Sequence, residues 1–210
     1  MKKLNQFITE YIVKKKLDKF IDSEYNSYPK TKKELIENIE ELINKDIYDL
    51  NCIDTSAITD MSNLFKELKI NKTKYTVDVS KWNVSKVEDM SGMFSFYQKF
   101  DCDLSGWDVS NVTNMNHMFI FCENFNCDLS KWNVSKVTDM SHMFYACDKF
   151  DSDLSKWDVS NVEDMNWLFS YCKNFMGNGL ENWNTSKVKD MHNMFEKCIS
   201  LKNKPSWYKK

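Results

Sequence analysis

The chain has 210 residues and a formal net charge of −2, which suits a single domain of ordinary size. All 29 of its basic residues are lysines, so it lacks the arginine that reads phosphate and guanine through paired hydrogen bonds. With no excess of positive charge either, no nucleic-acid partner is expected. No apolar run reaches the roughly 20 residues that span a bilayer, so no membrane insertion is expected.

Residues 1–48 do not repeat and are predicted to form a helical N-terminal cap. A first apolar stripe of helical spacing begins at Leu4, and Pro29 follows it. Thr31 and Glu34 have the spacing of a capping box, and a second stripe follows at Leu35, Ile36, Ile39, Leu42 and Ile43. Such helices would cover the open end of a repeat array, and they would also suit dimerisation or contact with a partner.

The first ten residues carry two lysines but no apolar run, because polar residues such as Asn5, Gln6 and Glu10 interrupt it. They do not have the pattern of a secretory signal. The sequence as it stands therefore predicts a cytoplasmic protein.

Residues 49–203 repeat with a period of 25. Five units carry a tryptophan, and a sixth, divergent unit has Ile53 in its place; the tryptophans are Trp82, Trp107, Trp132, Trp157 and Trp183. A fixed period of this length is typical of stacked supersecondary units, none of which folds alone. Residues 204–210, with Pro205, Trp207 and Tyr208, are predicted to seal the last unit as a C-terminal cap.

The periodicity changes within each unit. Trp107 and Val109 alternate with polar residues, which predicts a short strand. Val112 and Met115 begin a spacing of three and four, which predicts a helical turn with Thr113 as a candidate N-cap. The predicted fold is α/β: a leucine-rich-repeat-like, right-handed solenoid of about six 25-residue units with a parallel sheet, plus an N-terminal α-helical cap.

The repeat also has a family resemblance, carried by the segment Leu129-Ser-Lys-Trp-Asn-Val-Ser-Lys-Val-Thr-Asp-Met-Ser-His-Met-Phe144 and its copies. They resemble the BspA-like leucine-rich-repeat family, a domain of unknown function in mycoplasma surface lipoproteins. Residues 53–61 resemble the first unit of that family. The resemblance implies a curved solenoid of a bacterial surface protein family, with roles in adhesion or protein binding and no catalytic residues.

The seven cysteines of the chain follow the repeat, with one column at Cys122, Cys147, Cys172 and Cys198 and a second at Cys102 and Cys127. Recurrence once per unit is typical of small core residues, so free thiols in a reducing compartment are predicted. No Cys-x-x-Cys pair is present, and no zinc site is predicted.

Other residues that could bind metals also follow the repeat. His117 and His142 share one position and are predicted to lie on the surface rather than to bind a metal. Acidic and amide residues form a column that could suit calcium, but the chain has too few glycines for calcium-binding turns, so turn formation is predicted instead; the column comprises Asp101, Asp103, Asn126, Asp128, Asp151 and Asp153. No catalytic constellation or phosphate loop is present, so no enzyme, cofactor or metal is predicted.

Two positions alternate from unit to unit. The residue after each tryptophan alternates between asparagine and aspartate, and the fourth residue after it alternates between lysine and asparagine. Like charges on every unit would repel along a ladder. The alternation therefore predicts that Asp108 and Asp158 pair with lysines of the flanking units.

The most consistent function is a non-enzymatic repeat scaffold that binds an unidentified protein through the exposed face of its sheet. The residues predicted to contact this partner are Asn83, Ser85, Asp108, Ser110, Asn133, Ser135, Asp158 and Ser160. A surface adhesin and an intracellular antitoxin or immunity-type inhibitor are the alternatives, and the oligomeric state is left open.

Overall fold

The computed structural model describes residues 27–208, and the stripe predicted from Leu4 lies outside them. Its helical segments are short: α1 spans Lys32–Asn44, α2 spans Leu64–Glu67, and a 3₁₀ turn spans Leu180–Asn182. The rest of the described chain consists of turns and irregular backbone. Within residues 27–208, no helix combines the length and the apolar character needed to cross a membrane.

Helix α1 starts at the predicted capping box. The Thr31 hydroxyl accepts the Glu34 N–H at 3.2 Å, and the Glu34 carboxylate accepts the Lys30 N–H at 2.7 Å. Both bonds satisfy donors that a helix start would otherwise leave unpaired. The apolar stripe belongs to the core: Leu35, Ile39 and Leu42 are fully buried in the same apolar cluster as the repeat residues.

The predicted α/β fold is wrong. The described residues contain no extended strand, and therefore no parallel sheet and no leucine-rich-repeat solenoid built on one. Where a strand was predicted, the Ser110 N–H donates to the Asp108 carboxylate at 3.1 Å and the Val112 N–H to the Val109 carbonyl at 2.9 Å. The Asp108 carboxylate thus accepts the Ser110 N–H that would otherwise bond a neighbouring strand, and the backbone forms a turn at this point.

Consecutive units contact each other in parallel through single-residue bridges. One column of bridges runs from unit to unit through Asp60, Asp89, Asn114, Asp139, Asp164 and Asp190. After each bridge, alternate N–H groups donate to the next unit: Met115 to the Asp139 carbonyl at 2.9 Å and His117 to the Ser141 carbonyl at 2.9 Å. The units are therefore joined through a series of turns that supplies inter-unit hydrogen bonds without forming strands.

The segment predicted as a helical turn is part of this series. The N–H groups between the inter-unit donors bond three residues back, as from Met118 to the Met115 carbonyl at 3.2 Å. Thr113 is not an N-cap, because its hydroxyl donates to the Glu88 carbonyl of the preceding unit at 3.2 Å. The spacing of three and four residues identified the buried side chains but not the backbone that presents them.

Aromatic side chains form the centre of the core. One phenylalanine per unit stacks on its neighbours, with ring centroids 5.6 Å apart for Phe94 and Phe119 and 5.8 Å apart for Phe119 and Phe144. The five tryptophans that define the repeat are almost fully buried, and each of their indole N–H groups reaches back one unit, as from Trp132 to the Leu104 carbonyl at 3.0 Å. At the far end, Trp207 bonds the Leu180 carbonyl in the same way, at 2.8 Å.

The cysteines pack as core residues, as predicted. All seven are free, and all except the half-buried Cys52 are buried. The Cys147 thiol donates to the Phe119 carbonyl at 3.0 Å, and the Leu104 N–H donates to the Cys127 sulfur at 3.0 Å. Burial raises the pKa of Cys102 to about 12 and that of Cys127 to about 11, which keeps both thiols protonated.

The alternating lysines hydrogen-bond to asparagine side chains and not to the aspartates predicted from the sequence. The Lys136 ammonium donates to the Asn111 side-chain oxygen at 2.6 Å, and the Asn111 amide donates to the Ser85 carbonyl at 2.7 Å. Among the described residues, no lysine lies within ion-pair distance of Asp108 or Asp158. The alternation therefore reflects an asparagine that bridges three units, and the predicted pairing is wrong as a direct contact. Hydrogen bonds from Ser110 and Ser160 lower the pKa of Asp108 and Asp158, and the charges of Lys136 and Lys187 on the flanking units contribute to the same shift.

Candidate functional site

The polar residues predicted to bind a partner are used inside their own turns. Each asparagine or aspartate of the set accepts the N–H of the serine two residues later, at 3.0 to 3.2 Å. This applies to the pairs Asn83–Ser85, Asp108–Ser110, Asn133–Ser135 and Asp158–Ser160. Their acidic and amide side chains are exposed and their serines half-buried, so the structure gives each pair a turn-forming role and leaves partner binding at this face a prediction.

A different face carries exposed aromatic rings. Its outer row contains Phe96, Phe121, Tyr145 and Tyr171, with successive centroids 5.0, 5.3 and 5.4 Å apart. Phe96 is 52% exposed and Tyr171 is 37% exposed, although such rings normally lie in a core. In one unit the position equivalent to Phe121 is Ala146, and the preceding residue, Tyr145, provides the ring instead. The row therefore continues without a gap.

An inner row lies beside the outer row and contains His117, His142 and Trp167. The two imidazoles stack at 4.6 Å, and His142 stacks on Trp167 at 6.1 Å. Tyr145 joins the rows, because its ring lies 5.9 Å from both His142 and Trp167. We call these two rows together the aromatic surface.

The backbone beneath the aromatic surface is unusual. Two residues per unit have positive φ, and the aromatic surface includes six such residues: Phe96 at 60°, His117 at 56°, Phe121 at 59°, His142 at 56°, Trp167 at 55° and Tyr171 at 62°. The left-handed region costs a residue other than glycine about 1–2 kcal/mol, and bulky residues rarely occupy it.

The positive φ has a structural cause. Left-handed residues donate to the next unit, as from Phe121 to the Tyr145 carbonyl at 2.8 Å and from Trp167 to the His192 carbonyl at 2.9 Å. Glycine or asparagine would meet this requirement with less strain, and Gly92 does so in one unit. The backbone thus explains the conformation but not the choice of large aromatic side chains.

The stacked histidines do not form a metal site. Their ring planes are 8° from parallel, so the in-plane lone pairs of the two rings cannot converge on one ion. Among residues 27–208, no group of three or more histidine, cysteine or acidic residues is placed to hold a metal. Burial lowers the pKa of both imidazoles, which favours neutral rings at pH 7, and the Nδ1 atom of His142 is buried without a partner.

The column of acidic and amide residues was predicted to form turns rather than a calcium site, and its residues do lie in turns. The Asp103 and Asp128 carboxylates accept the N–H groups of Ser105 and Ser130, each at 2.9 Å. The Asn126 side-chain oxygen accepts the Asp151 N–H of the next unit at 2.9 Å. These carboxylates and amides therefore serve the turns and the contacts between units.

The sequence reasoning missed the aromatic surface. The sequence did contain a signal for it: an aromatic residue recurs directly before the buried position occupied by Cys122, as Phe121 does. Their exposure could not be read from spacing, because the neighbouring Phe119 and Phe125 recur with the same period and are fully buried.

The chain belongs to a family described as a mycoplasma protein of unknown function, DUF285, whose model matches residues 32–150 and 98–208. The two overlapping matches cover all the repeat units. Neither the curated proteins nor the solved structures contain a match.

Proposed function

We propose that this protein is a non-enzymatic scaffold that binds another protein through its aromatic surface. The observation that carries the proposal is the row of rings held in left-handed backbone at Phe96, Phe121 and Tyr171, of which Phe96 and Tyr171 are exposed and Phe121 is half-buried. Strained residues in exposed positions are a feature of functional sites. Rigid aromatic rings are also the side chains that contribute most to protein–protein binding.

The geometry of the rings favours a protein over other partners. Phe96 and Phe121 stack with their planes 16° apart, so each covers a face of the other and presents its edge to solvent. Sugars and unpaired bases bind by stacking on open ring faces, whereas apolar protein side chains pack against ring edges. The absence of arginine from the chain also disfavours nucleic acid.

The resemblance of the repeat to BspA-like sequences supports the same function, because that family is associated with adhesion and protein binding. It does not support the predicted sheet face as the contact, since no sheet is present in the described residues. The proposal therefore keeps the predicted kind of partner and moves the contact to the aromatic surface.

The test compares two double variants of the full chain as baits in extracts of the source cells. Phe121→Ser with Tyr171→Ser removes a half-buried and an exposed ring of the outer row, and Ser110→Lys with Ser135→Lys blocks the face predicted from sequence. Thermal unfolding of both variants establishes that they are folded.

We expect a protein that wild type captures reproducibly to be lost with the ring variant and retained with the lysine variant. Retention by the ring variant, or loss only with the lysine variant, would overturn the assignment of the aromatic surface.

A further inference from the structure

The aromatic surface has a charged border along its inner row. Asp139, Asp164 and Asp190 occupy one repeat position and are joined by the parallel bridges between units, a geometry that spaces them about 4.8 Å apart. Asp139 lies close enough to His117 and His142 to influence both imidazoles. The acidic column and the inner row therefore form adjacent parts of one surface.

The carboxylates of this column lack basic partners within the described part of the chain. No lysine lies within ion-pair distance of Asp139 or Asp164, and Asp190 has only the exposed His192, at 3.6 Å. Their hydrogen-bond donors are neutral, as in the Asn116 amide that donates to Asp139 at 3.0 Å.

The border beyond the outer row differs. There the Lys173 ammonium contacts the Asp148 carboxylate at 2.6 Å, and the Gln98 amide donates to the Glu123 carboxylate at 3.1 Å. That side therefore contains a contact ion pair, which Asp139 and Asp164 on the inner side do not have.

The backbone does not need carboxylates in the acidic column. Asn114 occupies the same repeat position, and its side-chain oxygen accepts the Asn116 N–H at 3.1 Å. Asp164 makes the equivalent bond to the Asn166 N–H at 2.9 Å. Burial, together with Asp139 and Asp190, raises the pKa of Asp164, so its carboxylate is less favourable in the folded protein than in the unfolded chain.

From this juxtaposition we propose that the partner segment is a basic, apolar stretch of polypeptide. Its apolar side chains pack on the outer row, and its lysine or arginine side chains lie over the inner row and against Asp139 and Asp164. A cation there gains the attraction of two carboxylates. This inference rests on the proposed function and adds the chemistry of the partner to it.

The test uses three labelled 12-residue peptides, each half leucine, with lysine, glutamate or serine as the other half. Binding to the full chain is measured by fluorescence anisotropy at low and at moderate salt. Asp139→Asn with Asp164→Asn removes the two unpaired charges and keeps the turns, as Asn114 does naturally. Asp158→Asn is the matched control, because Asn133 and Asn184 occupy its repeat position.

We expect the lysine peptide to bind at least about tenfold more tightly than the glutamate peptide at low salt. The double aspartate variant should weaken the lysine peptide by about 5- to 20-fold, since each exposed ion pair contributes up to a factor of about five. The Asp158→Asn control should leave the affinity unchanged, and added salt should reduce the difference between peptides.

Three results overturn the inference in distinguishable ways. If the serine or glutamate peptide binds as tightly as the lysine peptide, and Phe121→Ser with Tyr171→Ser abolishes that binding, the aromatic surface binds protein but the charge preference is wrong. If the ring variant binds every peptide as wild type does, the proposed function fails as well. Equal losses with Asp158→Asn and with the double variant would show general charge attraction and also refute the inference.

Discussion

The positive φ of residues in the turns leads to a testable prediction: replacement by glycine should stabilise the protein at these positions. The chain has two alanines, Ala57 and Ala146, and both lie in turns of repeat units. Ala146 has a φ of 57°, whereas Ala57 is not among the residues with positive φ. Replacing each by glycine gives a matched pair, because the change in the unfolded chain is the same at both sites.

The magnitude follows from two opposing terms. Glycine has more freedom to lose on folding, which destabilises an ordinary position by about 0.5–1 kcal/mol relative to alanine. At a left-handed position it also removes about 1–2 kcal/mol of strain. We therefore expect Ala57→Gly to lower the free energy of unfolding by about 0.5–1 kcal/mol and Ala146→Gly to raise it by about 0.5–1 kcal/mol.

Urea unfolding followed by circular dichroism and tryptophan fluorescence measures both variants. For a chain of this length, 1 kcal/mol corresponds to a shift of about 2–4 °C in the thermal midpoint, so heating provides a second measurement. Equal losses of stability at Ala57 and Ala146 would refute the left-handed geometry and, with it, the argument from strain at the aromatic surface.

Three further predictions concern the core and the acidic column. Trp132→Phe should lower the free energy of unfolding by about 2 kcal/mol, because it removes a 3.0 Å hydrogen bond to Leu104 and part of a buried ring; an unchanged urea midpoint would contradict this. At pH 8 a disulfide reagent should modify the half-buried Cys52 first, because the raised pKa of about 12 leaves Cys102 about one part in ten thousand thiolate; rapid modification of several thiols in the folded protein would count against it. Asp164→Asn should stabilise the fold at pH 7, because the pKa of Asp164 is raised on folding and its ionised form opposes folding, and the gain should shrink as the pH falls and the carboxyl becomes protonated; a gain independent of pH between 3 and 7 would show another cause.

The sequence predicted which residues form the core. Because equivalent residues recur about every 25 positions, most columns that are apolar in one unit are apolar in the next, and stacking buries the columns that face the core. Trp107, Met115, Phe119 and Cys122 are all buried with their copies in the next unit. The capping box at Thr31 was also predictable, because it depends on local spacing alone.

The backbone that presents this core was decided by hydrogen bonds that spacing does not reveal. Alternation at Trp107 and Val109 requires only that successive side chains point in opposite directions, which a tight turn achieves as well as a strand. The Asp108 carboxylate bonds the Ser110 N–H, so the group that would have joined a sheet is satisfied within its own turn. Periodicity reports where side chains point, whereas the partners of the N–H groups determine the secondary structure.

The candidate site was also decided by the tertiary structure. In sequence, Phe119 and Phe121 are two phenylalanines of one repeat, and nothing in their spacing separates core from surface. In the folded chain Phe119 stacks between Phe94 and Phe144, whereas the left-handed backbone at Phe121 directs its ring towards Phe96 on the outside. The sequence therefore determined which side chains would stack, and the path of the backbone through each turn determined which stack faces solvent.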